Sequence, residues 1–379
     1  MDALEITTKL VSFKSVTPKD DGAIFFLAKI LKEYGFKCKI LEFGEKNNKV
    51  NNLYAYLKGG KGPNLCFAGH TDVVPPGDLD KWKTNPFKAS IKNNTLYGRG
   101  ANDMKGAIGS YVSAAINYIK NCKMNFEGTI SFLITGDEEG DADFGTKKVV
   151  QWLKTNKIKI DYCLVGEPTN PDFLGQMAKT GRRGSMNCKL KIIGTQGHVA
   201  YPEKANNPIS SLPSFCTKLM EPLDKGNEVF QPSNLEITSI DVGNKITNLI
   251  PNEVNLVFNI RFNNNFTSKT LKELINKRLK SLDNKFFLKT KVSGEPFFNF
   301  SKKLHDCLAQ SIYKVSGKKP TMSTSGGTSD ARFISKICPV IEFGLVGKTM
   351  HKVNESVSIK DIKELTAIYN EFIKTIFSK

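Results

Sequence analysis

No stretch of the sequence approaches the roughly 18 consecutive apolar residues of a membrane-spanning helix, so no membrane role is expected. Asp2 and Glu5 precede any apolar run, with neither a basic leader nor a hydrophobic leader core. The expectation is a chain without a secretory signal that works in the cytoplasm. The eight cysteines, Cys38, Cys66, Cys122, Cys163, Cys188, Cys216, Cys307 and Cys338, include no CxxC pair, and several sit inside apolar runs such as Leu65-Cys66-Phe67. That usage argues against a disulfide framework and for reduced, buried thiols. Internal repeats, low-complexity tracts and long basic blocks are also missing. The last absence matters because 55 Lys+Arg against 37 Asp+Glu leave a formal net charge of +18. The basic residues are spread along the chain, without a nucleic-acid motif or aromatic residues interleaved with them. No nucleic-acid partner is expected, whereas a small anionic substrate suits a field of that sign.

What is present is the layout of a folded α/β protein. With 379 residues, 40% hydrophobic and 24% charged, the chain is long enough for about two domains. Short apolar runs alternate with helix-period segments, the pattern of a sheet covered by helices. The informative feature is how the runs end. Leu65-Cys66-Phe67-Ala68-Gly69 leads into His70-Thr71-Asp72, and Ile130-Ser131-Phe132-Leu133-Ile134 leads through Thr135-Gly136 into Asp137-Glu138-Glu139. Cys163-Leu164-Val165-Gly166 precedes Glu167-Pro168, and Val340-Ile341-Glu342-Phe343-Gly344 precedes a loop that reaches His351. Ligands of open α/β sheets sit at the carboxyl ends of strands, so these side chains are expected at one sheet edge. Asp103 joins them from the glycine-rich stretch Tyr97-Gly98-Arg99-Gly100-Ala101-Asn102-Asp103. That stretch opens onto a helix with the apolar face Ala107, Ile108, Tyr111, Val112, Ala115 and Ile119. Asn102 or Asp103 in that place is equally a helix N-cap.

Between about residues 182 and 295 the texture changes to alternating segments, such as Met186 to Ile192, Leu235 to Ile240 and Asn255 to Phe262, with a Lys-rich helical stretch near Lys269 to Leu282. Half-buried strands with amphipathic helices predict an inserted α+β domain over 181–295. The first domain, 1–180 with 296–379, is then discontinuous, a central mixed sheet flanked by helices.

Only four histidines occur, His70, His198, His305 and His351. A lone histidine is more often structural than ligating, and His305, in a polar helix-like stretch, reads that way. His70 has a sharper context, because residues i and i+2 of an extended segment face the same side. Asp72 is thereby placed to accept the proton of the imidazole nitrogen turned away from a metal. His70 and His351 with Asp103, Glu139 and Glu167 make a mixed nitrogen and oxygen donor set that suits Zn²⁺. Five protein ligands exceed one open tetrahedral site and fit two metals that share a bridging carboxylate. The four positive charges of two Zn²⁺ meet three carboxylates and one hydroxide. Metals about 3.5 to 4 Å apart acidify water and polarise the carbonyl it attacks. Glu138, beside a ligand but in excess of the count, is the natural general base, although Asp137-Glu138-Glu139 alone is also what a solvated acidic loop looks like.

Together, Gly69-His70-Thr71-Asp72-Val73-Val74-Pro75, Gly98-Arg99-Gly100-Ala101-Asn102-Asp103-Met104-Lys105-Gly106, Gly136-Asp137-Glu138-Glu139-Gly140, Gly166-Glu167-Pro168-Thr169 and the late His351 carry a resemblance. They resemble the motifs of the dinuclear zinc peptidases and deacylases of the aminoacylase/carboxypeptidase group, over nearly the whole chain. The resemblance implies a zinc-peptidase-like catalytic domain with two Zn²⁺ per subunit, for which Co²⁺ can substitute. It places His70 and Glu167 on one metal, Glu139 and His351 on the other and Asp103 between them, with Asp72 orienting His70 and Glu138 as base. It also implies a cis Asp103–Met104 peptide.

Gly181-Arg182-Arg183-Gly184-Ser185, Gly197-His198-Val199-Ala200-Tyr201-Pro202 and Thr324-Ser325-Gly326-Gly327-Thr328-Ser329-Asp330-Ala331-Arg332-Phe333 look like motifs of the group's desuccinylase branch. Acetylornithine deacetylases and aminoacylases are less similar there. The likeness implies removal of succinate from a succinylated diamino diacid on the way to lysine. A different acyl group, or a dipeptide, on the same scaffold is the alternative. It further implies Arg182, Ser185, Tyr201, Asn248, Arg261, Gly327 and Thr328 as substrate contacts, with Thr247 standing where relatives often carry Asn. Only six of the 55 basic residues are arginine, and planar Arg forks bind carboxylates bidentately as Lys cannot. In the enzymes the chain resembles, the histidine matching His198 reaches the partner subunit's site and stabilises the oxyanion, so the resemblance implies a homodimer through the inserted domain.

Overall fold

The apolar runs that end in acids and histidines are strands covered on both faces, which is why they read as continuous hydrophobic segments. Leu65, Cys66, Phe67, Ile130, Phe132, Leu133, Ile134, Cys163 and Leu164 are all fully buried. The computed structural model describes residues 1–45 and 48–378. They form two compact units, one of Met1–Thr180, Asn299–Ser323 and Ser329–Lys379, the other of Gly181–Phe298 and Thr324–Thr328. Among the described residues no helix is long and apolar enough to cross a membrane, and all eight cysteines are free thiols.

The first unit is built on an eight-stranded mixed sheet. Its spatial order is Lys37–Glu45, Asn48–Lys58, Thr129–Thr135, Asn64–His70, Tyr162–Val165, Val340–Glu342, Met177–Lys179 and Thr321–Ser323. The four central strands, Thr129–Thr135 to Val340–Glu342, run parallel, and Asn48–Lys58 runs antiparallel beside them. Register sets His70 opposite Thr135, Ala68 opposite Val165 and Val165 opposite Glu342, so these strands finish together at one edge. The chain segments that follow them, carrying Asp72, Glu138, Glu139 and Glu167, therefore start from a common line.

The helix Gly106–Asn121 covers the sheet with the face read from the sequence, for Ala107, Ile108, Tyr111, Val112, Ala115 and Ile119 are buried. Tyr111 stacks on Phe67 of the sheet with ring centroids 4.3 Å apart, and full burial of an apolar side chain such as Phe67 stabilises by about 1.5 to 3 kcal/mol. Gly109 lets the helix Ala3–Ser12 pass close by, since a Cβ there would collide with Thr7 Oγ1. The helix Ile359–Phe377 packs on its other flank. Neither Asn102 nor Asp103 caps Gly106–Asn121: its N-cap is Lys105, with no side-chain cap bond. The preceding segment Ala101–Lys105 is an irregular turn in which Asp103 (φ −123°, ψ 97°) and Met104 leave helical geometry. The Asp103–Met104 peptide is cis.

The second unit carries a four-stranded antiparallel sheet in the order Asn234–Asp241, Glu253–Phe262, Gly184–Ile193 and Phe286–Gly294. Alternation along Gly184–Ile193 buries Met186, Cys188, Leu190 and Ile192 and exposes Asn187 and Lys189. The buried face joins Phe215 and Leu219 of the helix Pro208–Met220 and Leu271, Ile275 and Leu279 of the helix Ser268–Leu279 in one core. Thr324–Thr328 is tied to this unit by a bond from Thr324 Oγ1 to the carbonyl of Val229 (2.6 Å) and by Arg182.

Candidate metal centre

The residues expected at the sheet edge converge. His70 Nε2 lies 3.3 Å from Asp103 Oδ1 and 3.8 Å from Glu167 Oε1. His351 Nε2 lies 3.4 Å from Asp103 Oδ2 and 2.8 Å from Glu139 Oε1. Asp103 thus turns one oxygen toward each imidazole. Donor atoms of His70, Asp103 and Glu139 lie within 4.8 Å of one another, as do those of His70, Glu138 and Glu167. His70 and Asp103 are buried, Glu138 and Glu139 are partly covered, and the His351 side chain is 50% exposed.

One expected contact is different. The proton of His70 Nδ1 goes to the main-chain carbonyl of Asp72 at 2.9 Å, while the nearer Asp72 carboxylate oxygen stands 3.7 Å away. The carboxylate is engaged elsewhere. Its Oδ2 accepts from the amides of Glu138 (3.1 Å) and Glu139 (3.0 Å), and Oδ1 lies 3.2 Å from the Glu138 amide. Two N–H donors on an adjacent loop outcompete one imidazole for a buried anion, so Asp72 fixes the main chain that carries Glu138 and Glu139. The imidazole is oriented all the same, because an Nδ1–H bound to a carbonyl leaves the Nε2 lone pair facing Asp103.

The electrostatics call for positive charge. Burial opposes charge on His70, but Asp103, Glu167 and Asp72 push its pKa well above the usual histidine value. Hydrogen bonding to Asp103 and Glu139 pushes His351 up to about 10. Burial works against the Asp103 carboxylate, yet the two imidazoles hold its pKa below the ordinary range. Burial, reinforced by Glu167, raises Glu138 well above a normal carboxylate. His70 Nε2 and Asp103 Oδ1 are both buried and lack a hydrogen-bond partner. Two buried lone-pair atoms that face each other with no proton between them are costly unless something satisfies both, and a divalent cation does so. The donor set of two imidazoles and three carboxylates fits Zn²⁺ chemistry.

The remaining predicted residues belong to the second unit. Arg182, buried, donates from Nη1 to the carbonyl of Ser325 (3.4 Å), beside Gly327 and Thr328. Gly326 keeps its place there at φ 104°, where a Cβ would press on Arg182 Nη1. Ser185 sits opposite Arg261 across the sheet. Burial, with like charge on Arg183, lowers the Arg261 pKa. His198 is exposed, its Nδ1 accepting from the amide of Ala200 (3.1 Å), and the exposed Tyr201 ring lies 5.8 Å away. Asn248 joins this loop by accepting at its carbonyl from the amide of Val199 (3.1 Å). His305, read as structural, is buried in a helix with its ring against Phe300. Sequence reading missed Glu355, which lies among the main chain around Asp103. Its signal was faint: an acid four residues past a candidate ligand.

The chain belongs to peptidase family M20/M25/M40, whose model matches residues 66–375. It is 55% identical over 381 residues to a succinyl-diaminopimelate desuccinylase of Pelagibacter ubique (strain HTCC1062), covering 99% of this chain and 98% of that protein. It is 52% identical over 379 residues to a protein of the same name from Wolbachia pipientis subsp. Culex pipiens (strain wPip), covering 100% and 94%. The crystal structure of an M20 family metallo-carboxypeptidase from Sulfolobus solfataricus matches at a TM-score of 0.80 and 18% identity, covering 99% of each chain, a likeness of fold. The α/β architecture is that of the family, and the chain is a metal-dependent amide hydrolase.

Proposed function

We propose that this enzyme hydrolyses the amide of N-succinyl-LL-2,6-diaminopimelate, releasing succinate and LL-2,6-diaminopimelate, and that it works with two metal ions, Zn²⁺ by donor type. The observation that carries the two-ion reading is the pair of Asp103 oxygens, each facing its own imidazole at 3.3 and 3.4 Å. His70 and Glu167 would hold one ion and Glu139 and His351 the other, with Asp103 shared. When bound, such ions supply Lewis-acid polarisation of the amide carbonyl and make water more acidic.

The chain's own residues supply the rest. Glu138, raised in pKa by burial, takes a proton from the water as it adds to the carbonyl carbon, and then gives that proton to the amine nitrogen as the C–N bond breaks and the carbonyl re-forms. Asp72 aims that base by holding its amide. The substrate carries three carboxylates, and Arg182 and Arg261 are suited to them because a guanidinium fork pairs with both oxygens at once. Ser185, Tyr201, Asn248, Gly327 and Thr328 complete the proposed substrate contacts. The enzyme acts as a homodimer through the second unit, with His198 stabilising the oxyanion in the partner's site. The exposure of His198 and Tyr201 supports that reach.

The test compares succinate and acetate release from matched N-acyl diamino diacids. Preference for the succinyl substrate by orders of magnitude in kcat/KM is expected. Equal or greater acetate release would replace the proposal with another deacylase on this scaffold.

A further inference from the structure

Glu355, outside the ligand set, is wholly buried, and both of its oxygens are in use. Oε1 accepts from the amides of Asn102 (2.9 Å) and Asp103 (3.0 Å). Oε2 accepts from the amide of Gly100 (3.0 Å) and from Arg99 Nη1 (2.7 Å). Arg99, 2% exposed, spreads its fork further: Nη1 donates to the carbonyl of Lys352 (3.2 Å), and Nη2 to those of Pro75 (3.3 Å) and His351 (3.4 Å). Its guanidinium lies over the Trp82 ring at 5.4 Å.

The pair thus grips the loop that follows His70 and Asp72, the turn that carries Asp103 and the loop that carries His351. A buried ion pair is a poor source of stability, because desolvation cancels most of the attraction. What it offers is geometry: a planar fork and a carboxylate can satisfy main-chain groups from several segments at once.

The two imidazoles differ in what holds them. His70 is buried and bonded through Nδ1 to Asp72. His351 is half exposed and stands at φ 61°, a left-handed conformation that side chains with a Cβ rarely adopt. Its main-chain carbonyl is the group that Arg99 holds.

We infer that the Arg99–Glu355 pair is a positioning unit for the metal centre, fixing the spacing of Asp103 and His351 and so governing affinity for the ion among Asp103, Glu139 and His351 more than for the ion beside His70 and Glu167. The inference rests on the two-ion reading of the proposed function. Arg99→Lys keeps the charge but cannot reach the carbonyls of Pro75, His351 and Lys352 together. Glu355→Asp keeps the ion pair but draws the carboxylate back from the amides of Asn102 and Asp103, and serves as the second variant if the first does not fold.

The full-length chain is stripped of metal. Stepwise Zn²⁺ affinities are then measured by competition with a chromophoric chelator, alongside melting of the metal-free form. In Arg99→Lys one of two affinities should fall by about tenfold or more while the other stays within about threefold; in Glu355→Asp, whose shift reaches the shared Asp103, both should fall with the metal-free melting temperature unchanged. The kcat lost at limiting zinc should return with excess zinc at unchanged KM. Unchanged affinities would overturn the inference and leave the two-ion reading standing, as would a parallel fall of both together with the metal-free melting temperature. A wild-type chain that binds fewer than two ions would overturn both.

Discussion

Replacing Asp72 by asparagine separates two roles for this residue. If its carboxylate oriented His70, the loss would appear in metal affinity. The geometry instead gives the carboxylate to the amides of Glu138 and Glu139 and gives the His70 proton to a carbonyl that the substitution leaves in place. In Asp72→Asn the amide oxygen can occupy the Oδ2 position and keep both bonds, but without their charge. A hydrogen bond to a charged group contributes about 1.5 to 3 kcal/mol and a neutral one about 0.5 to 1.5, so two bonds lose about 2 kcal/mol. Expressed wholly in placement of the base, that is a roughly thirtyfold fall in kcat. Asp72→Ala strands both part-buried amides, at about 3 kcal/mol in all, for a loss on the order of a hundredfold. Steady-state kcat and KM on the succinyl substrate, measured beside chelator-competition affinities for Zn²⁺, give the result. Wild-type kcat in Asp72→Asn, or a metal affinity that falls while kcat at saturating zinc does not, would refute the assignment and return Asp72 to the imidazole.

Glu138→Ala should abolish turnover with metal content unchanged, read by elemental analysis beside the assay; measurable wild-type turnover would remove Glu138 as the base. The proton on His351 competes with metal, because its pKa stands at about 10 in the metal-free chain against an ordinary value near 6.5. The raised value stabilises the metal-free fold below about pH 6.5, and that contribution is lost as pH rises through about 10. Zinc uptake should therefore release protons, and apparent affinity should rise between pH 6 and 8, by about tenfold per unit for each proton released. A pH-independent affinity in that window would contradict the raised value. His198→Ala should lower turnover with metal intact, and mixing it with Glu138→Ala should restore activity through hybrid dimers; no restoration at any mixing ratio would place its action within one chain.

Much of the first unit was legible because one physical rule, ligands at the ends of parallel strands, applies to residues adjacent in sequence to apolar runs. Leu65 to Gly69 announces His70, and Cys163 to Gly166 announces Glu167, without tertiary information. The alternating segments of the second unit were equally plain, since period-2 burial is written residue by residue. What the sequence concealed depends on contacts between distant segments. Sharing a face with His70 is a property of the extended chain, but which acceptor wins Asp72 depends on where the Glu138–Glu139 amides arrive, 66 and 67 positions later. Arg99 and Glu355 are separated by 256 positions, and neither carries a periodic or spacing signal that links them. Thr324–Thr328 gave no compositional hint that it sides with the second unit, because what ties it there includes bonds to residues as distant in sequence as Val229 and Arg182.

The central claim, that two cations gathered by His70, Asp103, Glu139, Glu167 and His351 drive the hydrolysis, is tested most directly by titrating Zn²⁺ into chelated protein while succinate release is followed and bound metal per chain is measured. Activity should be absent in the metal-free chain and should level off at two bound ions. Full turnover in metal-free protein, or a plateau at a single ion, would contradict it.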